Sequence, residues 1–507
     1  MTTQLDLADI QGNILQDFVS GYPTARFVFL RISDASMART FILEYRAKVT
    51  TALRWSSSNA YAGKILAKKP KVAINMALSW EGFRVLELPT RTLARMPPEF
   101  IDGMKARAEV LGDVGCNDQS RWDVAWKDRA HILVGLNALI DPATGKPVPE
   151  LDVETDHLRE LCDRHKITIM QGHGKDTPWQ DACAILVQNE ATYKPVPREH
   201  FGFVDGISNP VFEGQFGDTN ADQVMAVGNG KLLQSGQWVP LATGEFLLGH
   251  PDEAQETPDT TFPSEIMRNG TFLVYRKLHE NVASFDGYIA ASAETYSKLM
   301  NVPVADAREI IKAKMAGRWS DGVPLAVAPT IEMWKAFNAQ PVGPDNLTRY
   351  VDFRYGDDPE GLKCPVTSHT RRTNTRDGLT GNSSALNNRR RILRRGVPYG
   401  TTSQDDTNEH GIIFLAMCAN LSRQFEFVQQ QWLNYGLDAN AGNDTCPLVG
   451  NRAGDAKFLI PVDPQGGDAP FICSDIPQFV EVRGGDYFFL PSMTALRMIG
   501  MGIVDPT

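Results

Sequence analysis

The turn around Asp205 is the part of the sequence whose residue types most clearly suggest chemistry. Asp205 lies between Gly202 and Gly206, and phenylalanine, valine and isoleucine residues flank it in the segment 199–210. An apolar environment raises the pKa of a carboxyl group, and such a carboxyl can carry a proton during catalysis. Taken alone, the segment also fits a turn aspartate that bonds its own backbone, with glycines at the left-handed positions.

One histidine and a block of arginines are the other candidates. His369 lies in the segment 364–374 and could be a metal ligand, although most histidines are expected to be structural or exposed. The segment 389–395 is rich in arginine, and a charge run usually forms a solvated surface. Because Ile392 and Leu393 interrupt the run, one or two of its arginines are expected to point inward toward a buried anion.

Several classes of protein are excluded by missing motifs and by charge. The chain has no Gly-x-Ser-x-Gly elbow, Walker phosphate loop, dinucleotide fingerprint or His-Glu-x-x-His motif. It has no Cys-x-x-Cys, which argues against a paired zinc knuckle and a covalent haem site. A net charge of −10 argues against nucleic acid as a partner. No apolar run approaches the roughly 18 residues of a membrane span, so no membrane partner is expected.

Pairs of similar strand-like segments indicate how these residues are positioned. The apolar run 27–31 resembles the run 272–276, and 131–137 resembles 412–418. Each pattern is typical of a buried strand, and helical patterns occur at 156–162 and 305–315. The repetition predicts two similar α+β halves, an N-terminal module over residues 1–210 and a C-terminal module over 211–507. The alternative is that any two buried strands look alike.

The candidate segments together resemble the dye-decolorizing peroxidases. The resemblance is carried by the turn Gly202–Gly206, by the His369 segment with its arginines, and by Ile392–Gly396. The opening segment 9–15 and the run 425–429 also look like that family. These segments occur in the family's order along nearly the whole chain, and the long insertions are most similar to the long fungal members. The resemblance implies an α+β fold of two ferredoxin-like modules, each an antiparallel sheet with helices.

The resemblance also implies a cofactor, one non-covalent haem b per chain, bound mainly in the C-terminal module. His369 matches the proximal iron ligand, and Asp444 is the candidate that accepts a hydrogen bond from its other ring nitrogen. Asp205 matches the distal acid–base residue. Arg394 matches the arginine that stabilises the charge formed as the peroxide O–O bond breaks.

Three further residues are expected near the haem. Ile412 and Phe414 are two apart in a strand, so they face the same side, and in the family this pair roofs the distal cavity. Arg376 is a candidate for pairing with a haem propionate, and Arg371 and Arg372 are alternatives for that role.

Substrate oxidation at the surface is a separate expectation. Trp432 matches a position that relays electrons in some fungal members, whereas the i, i+3, i+7 spacing of Phe425, Val428 and Trp432 favours a buried helix face. Tyr350 and Tyr355 are weaker candidates. An acidic group could bind Mn²⁺ through oxygen ligands or could simply be a solvated loop; its members are Asp352, Asp357, Asp358 and Glu360.

The resulting hypothesis is a haem peroxidase that uses hydrogen peroxide to oxidise dyes, phenols and other aromatic substrates by one-electron steps through a ferryl intermediate. A haem-binding or haem-handling protein with little turnover is the alternative, and a non-haem α+β protein is a third. The presence of both Asp205 and Arg394 favours the enzyme, because a carrier would need only His369. The chain's start lacks the pattern of a signal peptide. The resemblance suggests an extracellular mature form, the cytoplasm is the alternative, and the compartment stays open.

Overall fold

Two similar α+β units make up the molecule. The computed structural model describes residues 4–16, 21–55, 69–188, 195–340, 348–379, 385–452 and 456–503. The strands of these ranges are β1 (Thr24–Ile32), β2 (Val72–Leu78), β3 (Ile132–Ala138), β4 (Ile167–Ile169), β5 (Gln180–Cys183), β6 (Ile185–Gln188), β7 (Pro195–Arg198), β8 (Lys231–Leu232), β9 (Trp238–Val239), β10 (Thr271–Glu280), β11 (Leu393–Arg394), β12 (Val397–Tyr399), β13 (Gly411–Cys418), β14 (Phe458–Ile460), β15 (Phe471–Cys473) and β16 (Val480–Leu490).

Helices connect and cover these strands. The α-helices of the same ranges are α1 (Gly12–Leu15), α2 (Ala35–Arg46), α3 (Trp80–Val85), α4 (Thr90–Leu93), α5 (Pro98–Asp102), α6 (Ala108–Leu111), α7 (Glu150–Arg164), α8 (Thr219–Met225), α9 (Val282–Met300), α10 (Val304–Ala316), α11 (Ile331–Asn338), α12 (His369–Thr373), α13 (Ala385–Asn388) and α14 (Met493–Met501). Two π-helical stretches follow β13, at Ser422–Glu426 and Val428–Leu433. None of the described helices is long and apolar enough to cross a bilayer.

The first unit has the ferredoxin-like order. Its antiparallel strands lie in the sequence β2–β3–β1–β4, and α2 and α7 connect them and pack together. Helix α2 begins where the Asp34 side chain accepts a hydrogen bond from the Met37 amide. Its buried residues Ala38, Phe41 and Tyr45 recur at helical spacing, so one face of the helix packs on the sheet.

The second unit repeats this order with β11 and β12, β13, β10 and β16. Helices α9 and α10 follow its first strand, and the π-helical stretches follow its third. Strands β1 and β10 are therefore equivalent, and so are β3 and β13, which accounts for the similar sequence runs. The α+β fold of two ferredoxin-like modules is confirmed, while the boundary at residue 210 stays a prediction.

One continuous sheet joins the units. Strand β16 pairs with β2 where Phe489 lies opposite Leu78, and the result is a ten-stranded sheet. Helix α14 at the end of the second unit packs on α2 of the first. A second apolar core, built around Phe285, Ile311 and Trp319, lies apart from the core that spans the sheet.

Candidate active site

A cavity of about 300 Å³ lies against one face of the second unit's sheet. Arg276, Leu278 and Glu280 of β10 reach it because alternate residues of a strand share a face. Ile412 and Phe414 of β13 also line the cavity, directly opposite Leu278 and Arg276 in the strand register. The structure therefore places the predicted pair Ile412 and Phe414 at the cavity wall.

His369 also lines the cavity, as the first residue of α12. The preceding Ser368 donates its hydroxyl hydrogen bond to the Lys314 carbonyl, which fixes the start of the helix on α10. The Nδ1 atom of His369 is 3.3 Å from the Cys446 sulfur. No hydrogen bond to Nε2 is formed by any residue in the described ranges, which leaves that nitrogen available as a metal ligand.

The residue beside the His369 ring is Cys446, so the prediction of Asp444 for this position is wrong. The Cys446 amide donates a 2.7 Å hydrogen bond to the Leu433 carbonyl, which holds the thiol beside the imidazole. The backbone carbonyl of Asp444 accepts a hydrogen bond from Arg372 instead. Burial raises the pKa of the Cys446 thiol, but the neighbouring His369 and Arg372 outweigh this effect and lower the pKa to about 6.

Asp205 and Arg394 lie together at the same cavity, with Nη1 of the arginine 3.7 Å from Oδ1 of the aspartate. Asp205 accepts a 2.6 Å hydrogen bond from the Gly206 amide, and its own amide donates to the Pro197 carbonyl at 3.0 Å. Gly206 has a φ of +79°, a left-handed conformation that glycine adopts without strain. The turn interpretation and the proton-carrying interpretation of Asp205 are thus compatible.

Arg394 is fixed by the loop that carries Asp205. Its Nη2 donates to the Ile207 carbonyl at 2.7 Å, and its amide donates to Asn209 Oδ1 at 3.0 Å. The Arg394 and Asp205 side chains are 38% and 32% exposed, so both reach open space at the cavity. One carboxylate and one guanidinium therefore share a cavity with an available imidazole.

Three buried arginines give the cavity wall an excess of positive charge. Arg318, Arg376 and Arg391 line the cavity and donate to backbone carbonyls, and none forms a direct ion pair with a carboxylate in the described ranges. Burial lowers the pKa of Arg318 and Arg376 to about 10 and that of Arg391 to about 9. Buried cations without counterions favour an anionic ligand, and the two carboxylates of a haem fit this requirement.

The other arginines proposed for a propionate have structural partners. Arg371 pairs with Asp358 at 2.8 Å, and Arg372 donates to the Trp432 carbonyl at 2.9 Å. Of the three candidates only Arg376 lines the cavity. Arg318 was missed by sequence reasoning, because a lone arginine outside the arginine-rich segment carried no signal.

Trp432 is a core residue. It is 3% exposed, does not line the cavity, and donates through Nε1 to Asp438 Oδ2 at 3.0 Å. The interpretation of its spacing as a buried helix face is confirmed, and Trp432 itself is not a surface contact for substrates. Tyr355 is buried at the cavity, and Tyr350 is half-buried against Phe337.

The acidic group proposed for Mn²⁺ does not form a metal site. Asp358 is buried and forms an ion pair with Arg371. Asp352 Oδ1 accepts a 2.8 Å hydrogen bond from the Trp238 indole. In the part of the chain that the structure describes, no group of three histidine, cysteine or acidic side chains converges to hold a metal. The alternative of a solvated loop fits Asp357 and Glu360, which are exposed.

Comparisons with known proteins indicate the family and the fold. The family described as "DyP dimeric alpha+beta barrel domain" matches residues 9–140, and the one described as "Dyp-type peroxidase, C-terminal" matches residues 250–445. "Multifunctional dye peroxidase DyP2" of Amycolatopsis sp. is 28% identical and covers 98% of this chain and 96% of its own. "Peroxidase 2" of the fungus Mycetinis scorodonius is 26% identical and covers 97% and 87%.

Solved structures show the same fold. A dye-decolorizing peroxidase in complex with 2,6-dimethoxyphenol aligns with a TM-score of 0.73 at 24% identity, over 98% of this chain and 100% of that one. A DyP-type peroxidase of Anabaena sp. aligns with a TM-score of 0.70 at 22% identity, over 97% and 94%. The likeness extends over both ferredoxin-like units.

Proposed function

The chain belongs to the DyP-type peroxidase family, and from that membership we propose that it is a haem peroxidase that oxidises dyes, phenols and other aromatic molecules with hydrogen peroxide. One observation carries the proposal. His369, Asp205 and Arg394 come from three separate segments of the chain and line a single cavity.

One haem b per chain, held without covalent bonds, is the cofactor that these residues fit. His369 would supply the iron ligand through Nε2, and Arg376, Arg318 and Arg391 would face the propionates. The haem, when bound, supplies the redox chemistry by which peroxide accepts electrons one at a time from reducing substrates. The absence of a Cys-x-x-Cys-His motif agrees with non-covalent binding.

Asp205 moves the proton in the first half of the reaction. Its carboxylate accepts a proton from hydrogen peroxide in the cavity and returns it to the oxygen that leaves as water. Arg394 places a guanidinium beside this carboxylate and stabilises negative charge on the departing oxygen. Leu278, Ile412 and Phe414 form an apolar wall that limits water and large molecules near the reacting oxygens.

Substrates too large for the cavity require a path through the protein. We propose Trp432 as an inner step of that path, since the adjacent Leu433 lines the cavity. Tyr435 is 43% exposed and borders the same shallow pocket as Trp432, so it offers a contact at the surface. Aromatic side chains in such positions can pass single electrons to a buried oxidant.

Mixing the haem-loaded protein with hydrogen peroxide tests the proposal. Asp205→Asn should keep the haem spectrum but slow the reaction with peroxide by about 100-fold or more, since a general base commonly contributes 10²- to 10⁴-fold. Asp259→Asn, at an exposed position, is the matched control. If the chain is instead a haem carrier, the wild type and both variants should all react slowly with peroxide. Unchanged kinetics in Asp205→Asn would refute the role of Asp205.

A further inference from the structure

Glu280, at the end of β10, is a buried carboxyl group that the reaction above does not use. It is 3% exposed, lines the cavity, and its Oε2 atom has no hydrogen-bond partner in the described ranges. No lysine, arginine or histidine of these ranges forms an ion pair with it. Since an unpaired carboxylate is costly to bury, Glu280 is expected to hold a proton.

Glu199 lies next to Glu280 and is suited to share that proton. Its two carboxylate oxygens accept hydrogen bonds from the amides of Phe201 at 2.7 Å and Phe203 at 2.6 Å. Amide donors favour the ionised form of Glu199, whereas no described residue donates to Oε2 of Glu280, so Glu199 is the better proton acceptor of two carboxyl groups that line the same cavity. The pair therefore holds at least one proton near neutral pH.

The electrostatic surroundings support this assignment. Burial, with the neighbouring Glu199 charge, holds the pKa of Glu280 well above its usual range. Burial also raises the pKa of Glu199 to about 7, although its two amide donors oppose the shift. Asp205 on the same loop raises the pKa of both groups, whereas Lys312 of α10 lowers that of Glu199. Protons on the pair and on Asp205 are thus energetically linked.

Two histidines, His200 and His410, lie close to the pair. The Glu280 amide donates a 3.1 Å hydrogen bond to the His410 carbonyl, and the His200 ring lies between the Tyr399 carbonyl and the hydroxyl of Thr402, an exposed residue. The His410 ring is 5.3 Å from that of His200, and neither of its nitrogens has a partner in the described ranges. Burial lowers the pKa of His200 to about 4, so its ring is neutral near pH 7.

We propose that Glu199 and Glu280 form a proton store that supplies the distal cavity through Asp205 during reduction by the second substrate. Reduction of hydrogen peroxide to two waters consumes two electrons and two protons beyond the two that peroxide brings. The reductants supply the electrons. For each electron that a reductant supplies, the O–H bond of Glu280 breaks, its proton passes by way of Asp205 to the oxygen that becomes the second water, and solvent then reprotonates the pair. Two such cycles deliver both protons.

This inference rests on the proposed peroxidase function, but one of its tests does not. Infrared spectroscopy of the full-length protein, without turnover, should show a protonated carboxylic acid band near neutral pH that is absent in Glu280→Gln. Glutamine preserves the shape and can still donate to Glu199, so the variant is expected to fold. Glu294→Gln, at an exposed site, should retain the band. A band that persists in Glu280→Gln would overturn the shared proton even if the chain proves not to be a peroxidase.

The second test compares a reductant that donates only electrons with one that donates an electron together with a proton. Ferrocyanide donates electrons only, whereas a phenol brings a proton with its electron. In Glu280→Gln, reduction by ferrocyanide should slow by about tenfold or more, while the reaction with peroxide, reduction by phenol and the haem spectrum stay close to wild type. Equal slowing with both reductants, unchanged reduction by ferrocyanide, or loss of the reaction with peroxide would each overturn the assignment.

Discussion

Replacing Arg376 with methionine should weaken haem binding through the loss of one specific charge interaction. Arg376 is buried at the cavity, where Nη1 donates to the carbonyls of Val351 at 2.9 Å and Phe353 at 3.0 Å. The guanidinium also stacks on the Phe353 ring at 3.8 Å. Methionine preserves much of the apolar stem but removes the charge, so the change isolates the interaction with an anion.

The expected magnitude follows from the lack of a carboxylate partner. A hydrogen bond to a charged group contributes about 1.5–3 kcal/mol, which corresponds to about 10- to 150-fold in affinity for haem. The protein without haem should lose little stability, because burying the unpaired Arg376 charge is itself unfavourable, as its lowered pKa of about 10 indicates. In Arg376→Met, the increase in the free energy of unfolding on addition of haem should be smaller than in the wild type, by the same amount as the loss in binding free energy.

Titration of the haem-free protein with haem and with its dimethyl ester completes a double-mutant cycle. The ester lacks the propionate charges, so Arg376→Met should weaken the binding of haem but leave that of the ester nearly unchanged. Arg354→Met, at an exposed arginine outside the cavity, is the control. Equal losses for both porphyrins, or no loss for haem, would refute the assignment of Arg376 to a propionate.

Three further outcomes are expected. Cys446→Asp should lower the Fe(III)/Fe(II) midpoint potential by roughly 60–120 mV in a spectroelectrochemical titration, because a carboxylate accepts a stronger hydrogen bond from His369 and raises its donation to iron; an unchanged or higher potential would contradict this. Trp432→Phe should slow turnover of a bulky dye severalfold but not that of a small phenol, and equal effects on both would exclude the relay. Burial raises the pKa of Glu199 from 4.5 to about 7, so the folded chain binds more protons than the unfolded chain between these values. The resulting stability is full below about pH 4.5 and is lost as the pH rises through about 7. Glu199→Gln should therefore reduce the fall in melting temperature between about pH 5 and about pH 8, and an unchanged fall would refute the raised pKa.

The parts of the fold that follow from local pattern could be predicted. Buried strands are short apolar runs, and the similar runs at 27–31 and 272–276 proved to be the first strands of two equivalent units. The join between the units could not be predicted, because it depends on Phe489 lying opposite Leu78 across more than four hundred residues. Strand pairing at that separation leaves no periodic signal in the sequence.

Some residues of the candidate site could be predicted from the sequence and others could not. His369, Asp205 and Arg394 were identified because a family resemblance connects segments that no spacing rule relates. Cys446 was missed and Asp444 chosen, since the side chain that faces His369 depends on an irregular turn fixed by a backbone hydrogen bond to Leu433.

The positions of the buried charged residues could also be predicted only in part. The sequence indicated that some arginines of the segment 389–395 point inward, and Arg391 and Arg394 do so. It gave no sign of Arg318 or of Glu280, because each is a single charged residue whose burial depends on the packing of several elements around the cavity.

The absorption spectrum of the protein reconstituted with haem tests the central claim most directly. One equivalent of haem should bind and give the Soret band of a histidine-ligated iron, and a stoichiometric addition of hydrogen peroxide should change that spectrum within milliseconds. In His369→Ala the haem should be lost or show a clearly altered spectrum. A wild-type chain that binds no haem, or a His369→Ala variant with an unchanged haem spectrum, would contradict the account.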